Sequence, residues 1–379
     1  MTDQVHFPEI RNRFGFGLMR LPMKGTEVDT DQVCRMVDLF LESGCNYFDT
    51  AHGYIDGKSE QAVKTCLSSR YPRSSYVLTD KLTEPYFRTE ADIRPFFESQ
   101  LEACGVSYFD FYLMHAQNAE NFRHFQACRA YETAMELKRE GKIHHLGISF
   151  HDRPEVLDQI LTAYPEVEIV QIQFNYVDYD DPFIQSRAVY ETARRHGKPV
   201  IVMEPVKGGH LVDLPDEVEK VFDGLPRTGS NASYAIRYAA GFEGMEMVLS
   251  GMSSVVQMKD NLSFMKDFRP LDERELEAVN RAAEIFRSMR LIPCTGCRYC
   301  IEENHCPEKI RIPRLFDCLN KKELYHDENQ RIWYQDLTEN GGRAGSCIGC
   351  GGCEKVCPQH LKIRELLKKV AAAFEPAGA

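Results

Sequence analysis

No stretch of this 379-residue chain approaches 18 consecutive apolar residues, which excludes an ordinary membrane-spanning helix. The first residues, MTDQVHFPEI, show no basic cluster followed by an apolar run. A secretory leader is therefore not expected, and the chain is expected in the cytoplasm. There is no low-complexity tract and no basic tail. Against 46 Lys and Arg stand 57 Asp and Glu, a formal charge of −11, and a chain of that sign is a poor partner for nucleic acid. A glycine fingerprint opening a helix after the first strand is also missing. That counts against an open, doubly wound dinucleotide-binding sheet.

Cysteine, by contrast, is abundant: fourteen residues, unevenly placed. Cys34, Cys45, Cys66, Cys104 and Cys128 are scattered singly, whereas nine lie between Cys294 and Cys357. In a chain expected inside the cell, close cysteine spacing reads as metal or redox chemistry and not as disulfides. One run is Cys347-x2-Cys350-x2-Cys353-x3-Cys357-Pro358, the spacing of bacterial ferredoxins. Three thiolates two residues apart wrap a corner of a cubane cluster, and Gly349, Gly351 and Gly352 let the backbone approach its sulfides. The other run, Cys294-x2-Cys297-x2-Cys300-x5-Cys306-Pro307, has the same plan with two more residues before its fourth cysteine.

In such pairs the fourth cysteine ligates the other cluster. Cys294, Cys297, Cys300 and Cys357 are then expected to hold one 4Fe–4S cluster, and Cys306, Cys347, Cys350 and Cys353 a second. A pair of zinc ribbons is the competing reading, but tetrahedral zinc is normally held by two CxxC pairs, not by triplets each followed by Cys-Pro. Cys318 falls outside both patterns, on a helical segment at 312–319, and is expected to pack instead of ligating. Residues 290–379 carry 14 Lys and Arg and 12 Asp and Glu, a net +2, which leaves −13 for residues 1–289. A mildly basic shell suits thiolate-bound clusters, each about −2 when oxidised.

Before the cysteine-rich part, strand-like and helix-like pieces alternate. Candidate strands are Gly15–Met19, Asn46–Asp49, Tyr76–Thr79, Phe109–Met114, His145–Ser149, Ile169–Gln173, Pro199–Met203 and Met247–Leu249, with helical spacing between them, as in Asp31–Ser43 and Val156–Ala163. Repeated β-α units mean a parallel sheet, and eight of them suit a closed (β/α)8 barrel. Residues 270–290 read as a charged amphipathic helix closing that domain, after which Cys, Gly and Pro take over. The expected domains are residues 1–285, a barrel, and 286–379, a smaller and mainly helical domain like a dicluster ferredoxin. The 40-residue spacer between the two cysteine runs holds a helix, and Ile363–Phe374 reads as another. This pattern resembles the helical dicluster modules of electron-transfer subunits in reductases.

Asp49, Lys81 and His115 lie at or just after the C-terminal ends of candidate strands, with Tyr54 five positions beyond Asp49, on the barrel face that carries active sites. The segments FGFGLMRLP, NYFDTAHGYIDGKSEQAV, LTDKL, DFYLMHA and KREGKIHHLGISFH resemble the aldo-keto reductase family. The likeness spans roughly residues 12–265, and the whole chain resembles the group of that family with a C-terminal 4Fe–4S domain. The resemblance implies an oxidoreductase acting on a carbonyl or alcohol. It makes Tyr54 the general acid, Lys81 (paired with Asp49) the cation that lowers the tyrosine pKa, and His115 the group orienting the carbonyl.

It further implies NADPH or NADH, with Ser149 and Gln171 at the carboxamide, Met203 over the ring, and Ser253, Gln257 and Asn261 near the adenosine phosphate. The family's Lys and Arg at that last segment are absent, and Lys207, beside Gly208 and Gly209, is placed to meet the pyrophosphate. Asp178, Asp180 and Asp181 read as a solvated loop, with contact to a polar substrate as the alternative. Two clusters suit the relay of single electrons, with ferredoxin or another one-electron carrier as partner. The alternatives are clusters that are structural or redox-sensing, and a non-enzymatic NAD(P)H-sensing module.

Overall fold

In the computed structural model, residues 6–375 are described except 183, 226–228, 290, 305 and 326–327. Eight parallel strands close into a barrel: β1 (Phe14–Gly17), β2 (Tyr47–Asp49), β3 (Val77–Leu82), β4 (Phe109–Gln117), β5 (Ile143–Phe150), β6 (Ile169–Gln173), β7 (Val200–Met203) and β8 (Met245–Gly251). They pair in sequence order, and β1 pairs with both β2 and β8 to complete the ring. A short antiparallel ribbon, Met23–Lys24 with Glu27–Val28, lies outside it. β3 and β4 run further than their apolar stretches suggest, so Lys81 and His115 lie within strands. The Lys81–Leu113 and Leu82–Met114 pairs keep the ladder intact there.

Strand periodicity sorts the barrel interior into layers. Tyr47, Val77, Phe111, Ile169, Ile201 and Met247 form a buried apolar cluster. Two residues further along the strands, or four, the same face carries Asp49, Lys81, His115, Gln171 and Met203. Gly147 makes room in this interior, since a Cβ there would lie 2.5 Å from Leu113 Cδ2 and 2.9 Å from the Ile169 carbonyl oxygen. A register shift follows Met114, and Ala116 takes a left-handed φ of 49°. A bulge of this kind re-aims the side chains next to it.

The chain divides into two compact units. One comprises the described parts of Met1–Asp181, Gln185–Val206 and Pro226–Leu276, and the other those of Pro182–Ile184, Lys207–Leu225 and Glu277–Ala379. The division falls inside the helix Glu273–Ser288, and the segment following β7 belongs to the second unit.

That second unit is built on a structural repeat. Gly296 and Gly349 (φ 66° and 74°), Arg298 and Gly351 (72° and 77°), and Lys309 and His360 (54° and 50°) are left-handed at matching places in the two cysteine runs. The Lys309 and His360 N–H groups donate to the carbonyls of Cys306 and Cys357 at 2.9 and 3.0 Å. Helices then start at Ile312 and Ile363. Their apolar faces, with Leu315, Phe316, Leu319, Leu367 and Val370, form a core that includes Cys300, Cys353 and Cys357. Asn320 clamps the approach to the first run, exchanging two 2.8 Å hydrogen bonds with the backbone of Ile292. Cys318 is buried on the helix Ile312–Tyr325.

Candidate functional site

At the C-terminal mouth of the barrel, Lys81 is fully buried and donates to Asp49 Oδ1 at 2.6 Å and to the Thr50 carbonyl at 2.7 Å. The second carboxylate oxygen of Asp49 accepts from Gln171 Nε2 at 3.1 Å. Burial alone would lower the Lys81 pKa, but the charge of Asp49 and its hydrogen bond outweigh burial and raise it. The ammonium lies 4.8 Å from the centroid of the Tyr54 ring, whose other neighbour, the His115 ring, is 6.0 Å away. Asp49, Tyr54, Lys81 and His115 are thus brought together.

The segment bearing Tyr54 is held under backbone strain. Ile55 and Asp56 both have φ of 54°, and a β-branched residue in that region is an outlier that its surroundings must enforce. The surroundings here are a buried 2.7 Å Thr50–Ser59 hydroxyl pair and a hydrogen bond from Ser59 to the Leu18 carbonyl.

Burial raises the Tyr54 pKa. The charge and hydrogen bond of Lys81 act in the opposite direction without reversing it. The expected net lowering is therefore not found, because removal of the phenolate from water is the larger effect. His115 is hydrogen-bonded to Thr83 Oγ1 through Nδ1 at 2.8 Å. Its pKa lies well below the ordinary value, through burial first and then the charges of Lys81 and His151, so a neutral imidazole faces the site.

Behind Lys81 lies a polar layer that local sequence does not announce. Gln100 Nε2 reaches Asp80 Oδ1, the Lys81 carbonyl and Glu60 Oε1 at 3.1, 3.0 and 3.3 Å, while Tyr112 donates to its oxygen at 2.5 Å. His52 meets Glu60 at 2.8 Å and the Cys104 thiol meets Asp80 at 3.6 Å. Burial and the charge of Glu60 push Asp80 well above the usual carboxylate range. The network joins the strand of Lys81 to the helix that follows Tyr54. Its links span 8 to 40 residues of sequence and join separate elements, which is why no motif reveals them.

The expected nicotinamide contacts fall in different settings. Ser149 pairs with Gln171 in the β5–β6 register, and its hydroxyl is buried without a hydrogen-bond partner among the described residues. A stranded donor in register with Gln171 fits an amide supplied by a cofactor. Met203 is half-buried at the end of β7. The Ser253 N–H donates to Gln257 Oε1 at 2.7 Å, just before the helix Val255–Met265 that Ser254 caps. Asn261 is buried and donates to Ser250 Oγ at 2.9 Å. Lys207 is buried within the second unit.

Arg20 went unnoticed in the sequence. Its carbonyl accepts from Ser253 Oγ at 2.8 Å, its guanidinium stands 3.7 Å from Glu204, and its stem covers Gly251. Asp178 is not solvated: it is 1% exposed and accepts from Gln173 and Asn175 at 2.7 and 2.6 Å, anchoring the loop after β6.

In the second unit, Cys294, Cys297, Cys300 and Cys357 line one cavity, and Cys306, Cys347, Cys350 and Cys353 line another. Ile312 borders both. Burial, then the charges of Cys294, Cys357 and Cys353, push the Cys300 thiol up. Burial, then Glu354 and the other three cysteines of its cavity, pushes Cys353 up to about 11. Each cavity is thus lined by four thiols, the donor number and type of a cubane cluster. The donor sets therefore fit two iron–sulfur clusters.

Residues 13–284 match the aldo/keto reductase family, and residues 293–362 match the 4Fe-4S dicluster domain. An uncharacterised oxidoreductase of Bacillus subtilis (strain 168), YqkF, is 24% identical over 290 residues, 70% of this chain and 90% of its own length. The NADH-specific methylglyoxal reductase of Escherichia coli (strain K12) is 26% identical over 200 residues, 48% of this chain and 58% of the reductase. Among solved structures, the holo form of aldo-keto reductase AKR11C1 from Bacillus halodurans superposes with a TM-score of 0.59 at 26% identity. That match covers 71% of this chain and 91% of the other. An aldo-keto reductase from Klebsiella pneumoniae in complex with NADPH shares the fold, with a TM-score of 0.59 at 18% identity over 74% and 95% of the two chains.

Proposed function

Since this chain belongs to the aldo/keto reductase family and carries a 4Fe–4S dicluster domain, we propose that it interconverts a small carbonyl compound and its alcohol with a nicotinamide cofactor. We propose further that two iron–sulfur clusters exchange single electrons with a partner such as ferredoxin. The observation that carries the first part is the Asp49–Lys81 pair set against Tyr54 and a neutral His115.

Nicotinamide supplies a hydride, and the chain's residues supply the proton and the geometry. Tyr54, kept protonated at neutral pH, donates its hydroxyl proton to the carbonyl oxygen. Lys81, locked as an ammonium by Asp49, stabilises the phenolate left behind. His115, its Nδ1 engaged by Thr83, turns Nε2 to the substrate oxygen and orients the carbonyl. The Ser149 hydroxyl and Gln171 hold the carboxamide, with Met203 against the ring. Ser253, Gln257 and Asn261 belong to the phosphate end, to which the sequence reading adds Lys207. A Kd for NADPH unchanged by Lys207→Ala would remove Lys207 from this set. NADH and NADPH titrated side by side decide the cofactor preference, because the 253–261 segment offers only Lys259 as a cation.

The proposed mechanism is tested with Tyr54→Phe, which keeps the ring and removes the proton. Turnover is expected to fall by about 10²- to 10⁴-fold, and turnover that survives refutes the assignment. For the clusters, each four-cysteine cavity supplies a one-electron site. A second reading, clusters that hold the unit together, is favoured by the place of Cys300, Cys353 and Cys357 in its apolar core. Anaerobic addition of NADH or NADPH separates the two. Bleaching of the cluster band near about 400 nm as nicotinamide is oxidised means electron exchange with the barrel site, and an unchanged band removes that coupling and leaves clusters that are structural, redox-sensing or fed by another donor.

A further inference from the structure

The repeat in the second unit allows its two cysteine runs to be compared position by position. In the first, Thr295 is 3% exposed and the loop is covered by the chain itself. A Cβ on Gly208 would lie 2.3 Å from the Thr295 carbonyl oxygen, and His210 Nε2 is 2.9 Å from the Cys294 carbonyl oxygen. In the second run the residue matching Thr295 is Ile348, and it is 64% exposed. The match to Cys297 is Cys350, the one exposed cysteine of the fourteen. Ser346 and Gly349 are exposed as well, and a Cβ on Gly349 would meet nothing within 4 Å. A β-branched apolar side chain thus stands in water on the loop that carries an exposed ligand thiol.

The stretch of chain that carries this loop is basic. Between residues 341 and 375 there are six Lys and Arg against three Glu, in a chain whose net charge is −11. Arg343, Lys355, Lys362, Lys368 and Lys369 are exposed. Glu354 is already engaged by Arg364, through its backbone N–H at 2.8 Å and its Nε at 2.9 Å. Glu365 is the one exposed acid of this stretch, and an exposed apolar residue on a predominantly basic stretch suits a small, steered protein contact.

We propose that the loop Ser346–Gly351 is the docking surface for a separate, acidic one-electron carrier protein. That carrier takes, on the second run, the place that Lys207–His210 takes on the first. The inference rests on the iron–sulfur reading above. A second copy of this chain is the poorer occupant, since a two-fold contact through this loop sets one basic stretch against another.

The experiment uses the anaerobically purified holoprotein, with a small acidic [2Fe–2S] ferredoxin as probe and calorimetric titration as the readout. The wild-type Kd is expected to rise steeply between low salt and about 1 M, where the screening length falls to about 3 Å. The double variant Lys355→Glu/Lys362→Glu is expected to weaken binding at least about tenfold at low salt, about 1.4 kcal/mol, with iron and sulfide content unchanged. No binding by the wild type, salt-independent binding, or an unchanged Kd in an iron-replete variant overturns the proposal. A wild-type dimer in sedimentation that the same variant dissolves also overturns it and assigns the loop to self-association. Wild-type protein that binds no iron instead removes the cluster reading on which the proposal stands.

Discussion

Replacing Lys81 by methionine separates the stability of the site from its chemistry. The ammonium makes contacts of 2.6 and 2.7 Å and is 0% exposed, while Asp49 is 3% exposed. In Lys81→Met the new side chain fills a similar volume but leaves a buried carboxylate with Gln171 alone at 3.1 Å. Breaking a buried pair on one side costs about 3–5 kcal/mol, a large share of the roughly 5–15 kcal/mol of a whole domain. Adding Asp49→Asn removes the stranded charge, so the double variant is expected to regain most of that loss. Turnover does not return, because Tyr54 still lacks its cation, and it stays down by about 10²- to 10⁴-fold in both variants. Urea unfolding at pH 7 should be followed by far-UV circular dichroism. The single tryptophan, Trp333, lies in the second unit and does not report on the barrel. A Lys81→Met midpoint equal to wild type, or a double variant no more stable than the single, would refute the reasoning.

Further outcomes follow from other groups. His115 has a folded-state pKa well below 6.5, so the stability it contributes is present above its unfolded value and is lost as pH falls through the acid range. Thermal melts between pH 7 and 4 should show a fall in Tm that His115→Gln reduces, and an equal slope in the variant would rule His115 out as its source. Ser149→Ala should leave the apo barrel as stable or more so, since it deletes a stranded hydroxyl, while nicotinamide Kd rises by about 3- to 10-fold. An unchanged Kd takes Ser149 out of the carboxamide site. Crosswise cavities predict that Cys357→Ala and Cys294→Ala each lose half of the iron and that the double variant loses no more than either. Complete loss in the double variant would place the two residues on different clusters.

The features set by short-range chemistry were legible in the amino-acid order. Short apolar runs, each followed by helical spacing, mark all eight strands, and the pattern of Ile363–Phe374 matches its helix to the residue. Cysteine spacing is dictated by the corners of a cubane, so the two runs and their crosswise sets were visible before any coordinates. Asp49, Lys81 and His115 stood out because strand C-terminal ends in a parallel barrel open to the same face, and the family resemblance joined Tyr54 to them.

Tertiary structure decided whatever depends on burial or on distant partners. Gln171 reaches Asp49 across 122 residues. The layer of Gln100, Glu60 and Asp80 exists only because a helix packs behind β3. The pKa of Tyr54 moved up because desolvation, a property of the surrounding volume, exceeded the effect of the lysine beside it. Asp178 looked like surface until Gln173 and Asn175 closed on it. Arg298 takes the left-handed place that glycine holds in the second run, which hid the full extent of the repeat. The different exposure of Thr295 and Ile348 appears only once a distant segment of the chain, Lys207–His210, folds over one run and leaves the other open. Spacing along a chain specifies which groups can meet in one element. Only packing determines how much water each of them keeps.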